Sequence, residues 1–222
     1  MTRVYRRRLA TLIIVIACTL VGTFLSPNIN ELVPQGKSSS KAQSATIKTL
    51  ESLAVKGRSP KTGYARSQFG NGWAEVIGGC DTRNIILARD LSNERVDENC
   101  RILSGTLSDP YTGKTIQFMR GQTTSDDVQI DHVVALSNAW QTGAQQLSPL
   151  KRELFANDPL NLLAVDGNAN QQKSDGDAAT WLPPYKPFRC QYVGRQIKIK
   201  AKYHLWVTVS EKQAIQQVLA GC

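Results

Sequence analysis

The amino end constrains this chain most. Leu9–Leu25 is an uncharged run of 17 residues, preceded by Arg3, Arg6, Arg7 and Arg8 and followed by Ser26-Pro27. A run of this length is near the lower limit for a helix crossing a hydrocarbon core of about 30 Å. Its basic flank belongs on the cytoplasmic side, which sends everything after it outward. Three outcomes stay open: an uncleaved anchor, a cleaved secretory signal, or a lipoprotein signal at Val15-Ile16-Ala17-Cys18. An anchor is favoured because no A-x-A site follows the run. Lipid attachment is disfavoured because Cys18 is followed by more apolar residues rather than a polar tether. In every case the bulk of the chain folds outside the cytoplasm, membrane-anchored or secreted.

The cysteines agree with that location. Of five, Cys18 lies in the apolar run, which leaves Cys80, Cys100, Cys190 and Cys222. An even number in an oxidising compartment suggests two disulfides. Three pairings are possible, and the local one, Cys80 to Cys100 and Cys190 to Cys222, is the simplest. Each bridge would constrain the unfolded chain by roughly 3 kcal/mol. There is no C-x-x-C and there are only two histidines, His132 and His204, so a cysteine–histidine zinc site is not expected.

With 222 residues, 41% of them hydrophobic, the chain suits one domain and excludes collagen-like, coiled-coil and multi-span membrane classes. The formal charge is +9, but the arginine cluster supplies four of those charges. The remainder is moderately basic, compatible with a polyanionic partner without establishing one.

Residues 1–8 read as a basic cytoplasmic flank, 9–25 as the anchor or signal, 26–45 as a flexible linker and 46–222 as the extracytoplasmic domain. From Thr46, Ile47, Leu50, Leu53 and Ala54 fall on one helical face that ends near Gly57. Tyr64–Gly79 reads as loops with a short helix. Ile102–Phe118 reads as short strands around the turn Asp109-Pro110-Tyr111-Thr112-Gly113. Val128-Gln129-Ile130 alternates as a strand leading into Asp131-His132. Ser148-Pro149 opens a helix that stops near Asn157-Asp158-Pro159. Leu160–Val165 is a short apolar element, and Asn168–Trp181 can be helical. Ser210-Glu211-Lys212-Gln213 reads as a capping-box helix start, with Ile215, Val218 and Leu219 on one face. The mixture says α+β, one domain.

The chemistry is carried by Asp131-His132 between apolar flanks, then Asn161, Asn170 and Lys173. An Asp-His pair at a strand end, an Asn, a second Asn nine residues on and a Lys three beyond it resembles the HNH nuclease motif, including that of RNA-guided CRISPR nucleases. The chain is more closely similar to the secreted bacterial HNH family related to the C-terminal domain of GmrSD restriction enzymes. That likeness takes in Gly79–Asn84, Asp109–Gly113, Phe155-Ala156-Asn157-Asp158 and Trp181-Leu182-Pro183-Pro184, and covers roughly residues 46–222. It implies a ββα-metal core with additional helices, in which a hairpin carries His132 and the following helix carries Asn170. It also implies a metal-dependent endonuclease acting on DNA or RNA. His132 would be the general base, Asp131 and Asn170 would hold the metal, and Asn161 would act in catalysis by orienting the histidine or bracing the loop. One departure is Ala135, where such motifs often hold proline.

The chemistry itself asks for these residue types. Phosphodiester hydrolysis needs a water deprotonated near neutral pH, for which histidine is suited, and cleavage should decline below about pH 6. It also needs a cation at the phosphate, and a carboxylate with an amide oxygen suits Mg²⁺ or Mn²⁺. Adjacent strand residues point to opposite sides, so Asp131 and His132 share a site only if the strand ends or twists there.

Bland readings stand beside these. Asn168, Asn170 and Lys173 could be a solvated helix start, or Lys173 could touch substrate. Asp126-Asp127 reads as a turn or an additional metal ligand, and Arg83 as an ion pair with Asp81 or a phosphate contact. His204 reads as structural. Lys186, Arg189, Arg195, Lys198, Lys200 and Lys202 are interleaved with aromatics. They form either a solvated face or a phosphate track, with Lys198 and Lys200 its test positions. Nothing resembles a base-reading module, so little sequence specificity is expected and no protein partner is implied. The rival reading is a cell-envelope DNA-binding module without catalysis.

Overall fold

Leu162–Val165 is too short and too uniformly apolar for its periodicity to name an element, because it is a strand buried on both faces. Leu162 and Ala164 pack to one side, against Ile86, Leu87, Ile102, Leu107, Phe118, Val128 and Ile130. Leu163 and Val165 pack to the other, against Leu50, Ala169, Tyr192, Ile197, Ile215 and Leu219. Burying each leucine or valine side chain contributes about 1.5–3 kcal/mol, so this one strand ties two cores together.

The computed structural model describes residues 35–75, 78–122 and 124–222. The apolar run 9–25, its basic flank and most of the expected linker lie outside the described residues. Among those described, no helix is long and apolar enough to cross a membrane. The strands are β1 (Leu91–Val96), β2 (Ile102–Ser108), β3 (Thr115–Met119), β4 (Val128–His132) and β5 (Leu162–Asp166). The helices are α1 (Gln35–Ser52), α2 (Thr82–Asp90), α3 (Leu136–Gln141), α4 (Pro149–Ala156), α5 (Gly167–Lys173), α6 (Arg189–Lys202) and α7 (Val209–Ala220). Ala42–Cys222 forms one compact unit; of the preceding unit, residues 35–41 are described, as the opening of α1.

β1, β2 and β3 make an antiparallel meander, while β4 and β5 pair antiparallel as a separate ribbon. β4 and β5 are not a tight hairpin, since residues 133–161, with α3 and α4, intervene. α5 follows β5 at once. Asp166 caps it by accepting from the Ala169 amide at 2.7 Å. Gly167 is required there, because a Cβ would lie 2.0 Å from the Asp126 carbonyl oxygen. A third cluster, with Phe69, Trp140, Phe155 and Leu205, fills the space around α3 and α4.

Several local expectations shift for physical reasons. α1 begins at Gln35 rather than Thr46, within the stretch read as linker, where Gln, Lys and Ala favour helix. Asn168–Trp181 is helical only to Lys173, because Ser174 adopts φ 51° and ends the helix. α7 starts two residues early: Thr208 and Glu211 form the capping box, and Glu211 is buried there by Lys200. Cys80–Cys100 and Cys190–Cys222 are the two disulfides, the local pairing.

Candidate active site

Strand alternation decides what β4 presents. Val128, Ile130 and His132 face the side of the meander; Gln129 and Asp131 face α5. On α5, residues three apart meet residues two apart on β4. Asn170 Nδ2 donates to Gln129 Oε1 at 2.9 Å, and Lys173 Nζ donates to Asp131 Oδ1 at 2.9 Å. Asp131 and His132 therefore point to opposite faces. Both reach one cleft of about 350 Å³ because the strand ends at His132; Asn170, Ser174, Asp175, Lys61 and Arg66 complete its wall.

His132 is buried, and two contacts fix its orientation. Its Nε2 lies 2.8 Å from the Ala156 carbonyl oxygen. A carbonyl only accepts, so Nε2 carries the proton in the neutral ring and Nδ1 keeps its lone pair. Trp73 lies parallel to the ring, 5.7 Å between centroids and 8° between planes. Burial is the main cause that pushes the imidazole pKa down, to about 4, against the opposing charge of Asp131 and the bond to Ala156; Arg66 and Lys173 add to the fall. The ring is therefore neutral well below the ordinary histidine range.

Asn161 is fully buried and pairs with the chain leaving β4. Its Oδ1 accepts from the Val134 amide at 2.9 Å, its carbonyl accepts from the Val133 amide at 2.7 Å, and its Nδ2 donates to the Val134 carbonyl. It braces the loop after His132 and does not line the cleft. Ala135, at φ −57°, already holds the angle that a proline would impose.

Asp131 is more committed than its sequence reading implied. Besides Lys173, the Tyr111 hydroxyl donates to its Oδ2. Tyr111 is fully buried, and its phenol pKa is pushed up by burial first and by the Asp131 charge second. The turn that delivers it is held by Asp109, whose Oδ2 accepts from the Thr112 amide and whose Oδ1 accepts from the Asp166 amide. Sequence reading missed Tyr111 as a site residue. The signal was present in the turn Asp109–Gly113, which forces one large aromatic inward.

Two expected substrate contacts, Lys173 and Lys200, are corrected. The Lys173 side chain is fully buried, with its ammonium on Asp131 and on the His132 carbonyl at 2.9 Å, so it meets no substrate. Lys200 is likewise buried, ion-paired with Glu211 at 2.7 Å and donating to the Trp206 carbonyl. Burial pushes the Lys200 pKa down and that of Glu211 up, while each partner's charge opposes the shift. Arg83 is half-buried, and its Nη2 donates to the Val128 carbonyl at 3.3 Å and to the Ser125 carbonyl at 3.5 Å, while Asp81 caps α2. Of the basic stretch, Arg189, Arg195 and Lys202 are also tied to protein groups, while Lys198 is exposed on α6. The exposed His204 sits at φ 54° in the turn after α6.

The loop that shields His132 begins at Arg66, and the turn after α4 holds it. Ala156 fixes the imidazole, the Asn157 side chain accepts from the Ala74 amide at 2.9 Å, and Asp158 accepts from Lys202 and Tyr203. The family model described as GmrSD restriction endonucleases, C-terminal domain, matches residues 81–218, which include β4, α4, β5 and α5. The chain belongs to this family. It is also 41% identical over 191 residues, 85% of this chain and 88% of the relative, to a protein of Arthroderma benhamiae described as an uncharacterized secreted protein. No solved structure matches.

Proposed function

We propose that this chain is an extracytoplasmic, metal-dependent endonuclease of the HNH type, hydrolysing phosphodiester bonds of DNA, or RNA, with little sequence specificity. The observation that carries the reading is His132: a neutral imidazole, Nε2 tied to a carbonyl and Nδ1 without a hydrogen bond within the described residues, lining a polar cleft that Asp131 and Asn170 also line. Membership of a family described as restriction endonucleases supports it, as do the two disulfides and the secreted relative.

In this reading Nδ1 of His132 takes the proton from the attacking water, and the Ala156 carbonyl stabilises the imidazolium that forms. Trp73 holds the ring plane. Asn161 fixes the strand exit, and Lys173 with Tyr111 fixes Asp131.

The donors suit a cation that keeps most of its own water. Among the described residues no three of His, Cys, Asp and Glu gather around one point. Asn170 gives its amide nitrogen to Gln129, and no hydrogen bond to its Oδ1 occurs within the described residues. Asp131 keeps lone pairs beyond those used by Lys173 and Tyr111. One carboxylate and one amide oxygen fit Mg²⁺ or Mn²⁺ completed by water and substrate phosphate. The cation, when bound, would supply charge neutralisation at the phosphate and the leaving oxygen. The Lys173 ammonium offsets the Asp131 charge, so metal affinity should be weak until nucleic acid is present.

The test is incubation of the full chain with supercoiled plasmid and Mg²⁺ or Mn²⁺, with and without EDTA. The reading expects nicked and linear products that EDTA abolishes. Binding without cleavage under every metal condition would favour the envelope DNA-binding module instead.

A further inference from the structure

We propose that the loop from Arg66 to Trp73 seats a nucleotide next to the bond that is cut, with Arg66 on its phosphate. The inference rests on the nuclease reading above and adds where the substrate strand lies.

Arg66 lines two cavities that share His132 as a wall. One is the polar cleft of about 350 Å³ with Asp131 and Asn170. The other, of about 320 Å³, is bounded by Trp73, Phe69 and Leu136 and by the backbone of Gly70 and Gly72. A nucleotide has a related division: an anionic phosphate, and a base whose flat faces stack on aromatic and apolar surface. One cation placed between a polar and an apolar cavity matches it.

Arg66 is uncommitted. It is exposed and makes no ion pair or side-chain hydrogen bond within the described residues, whereas the cleft's other cation, Lys61, is paired with Asp175 at 3.1 Å. The segment beyond it is open at Gly72, while Gly70 packs on the Glu153 side chain, 3.2 Å from where a Cβ would stand. Gly70 and Gly72 take φ of 101° and 120°, and a Cβ at Gly72 would meet nothing within 4 Å. The amides of Asn71, Gly72 and Trp73 make no hydrogen bond within the described residues. A guanidinium at the edge of the polar cleft is a donor that phosphate oxygens accept from, while these amides border the apolar cavity. The cavity offers the Trp73 ring as stacking surface, with Ser67 and Asn71 also on its wall.

The experiment measures binding of a fluorescein-labelled duplex oligonucleotide by anisotropy, in EDTA, across a salt series. It compares the full-length parent, Arg66→Glu and the control Arg95→Glu. Arg95 is exposed on β1 and lines neither cavity, so it carries the same charge reversal elsewhere. Arg66→Glu should bind about tenfold more weakly, since a hydrogen bond to a charged group is lost. Its plot of log K against log salt should be flatter by about 0.9. Arg95→Glu should stay near the parent on both measures. If Arg66→Glu matches the parent in affinity and slope while the parent still cuts plasmid, the seat is wrong and the nuclease reading stands. If the parent neither binds nor cuts nucleic acid, both fall.

Discussion

Replacing Lys173 by methionine separates two roles that the sequence left open, substrate contact and internal brace. The ammonium is fully buried and makes two bonds of 2.9 Å, to Asp131 Oδ1 and to the His132 carbonyl. Methionine keeps most of the side-chain volume and removes the charge. Asp131 would then be a nearly buried carboxylate held by Tyr111 alone, and the His132 carbonyl would lose a donor. Breaking a buried pair from one side costs about 3–5 kcal/mol. The lower end applies here, because Asp131 borders the cleft and water can reach it. At roughly 2–4 °C per kcal/mol for a domain of this size, Lys173→Met should lower Tm by about 10 °C. Thermal unfolding followed by circular dichroism with disulfides intact measures it. Adding Asp131→Asn should return part of the loss, because no uncompensated charge then remains. An unchanged Tm together with weaker DNA binding would refute the brace and restore the substrate role.

Other outcomes follow from the same geometry. Lys200→Met should destabilise by about 3–5 kcal/mol because it strands the buried Glu211, whereas Lys198→Glu on the exposed face of α6 should stay within about 0.5 kcal/mol; chemical denaturation compares them. The acid limb of cleavage should fall near pH 4 instead of near pH 6, since burial holds His132 neutral to about 4. The sign is the same for stability. The folded pKa lies below the unfolded value near 6.5, so the unfolded chain binds more protons between the two, and the histidine's contribution is lost as pH falls through that window. Reducing the two disulfides should lower Tm, and non-reducing peptide mapping should recover Cys80 with Cys100 and Cys190 with Cys222.

Elements whose signals are local were legible. Ser148 with Pro149 starts α4, and Asp109-Pro110 makes the turn between β2 and β3. The alternation at Val128–Ile130 places β4. α6 was hidden because its run of lysines and arginines reads as a solvated face. The structure instead buries Lys200 against Glu211 and ties Arg195 to the Leu160 carbonyl, contacts that no spacing along the chain announces. The same limit holds at the site. His132, Asn161 and Asn170 stand out as residue types at a spacing. That Lys173 faces inward, that Tyr111 grips Asp131 and that Trp73 covers the imidazole depend on segments far apart in sequence. The lowered histidine pKa was illegible for that reason, being set by how completely Trp73 and the Ala156 turn enclose the ring.

The central claim is that the neutral imidazole of His132 activates water. The most direct measurement compares plasmid nicking by the parent and by His132→Ala under identical Mg²⁺ and salt, with DNA binding measured alongside. His132→Ala should be slower by about 10²–10⁴-fold with binding retained, because the base is needed for proton transfer and not for holding the strand. A folded His132→Ala protein that nicks plasmid at the parent rate would contradict it.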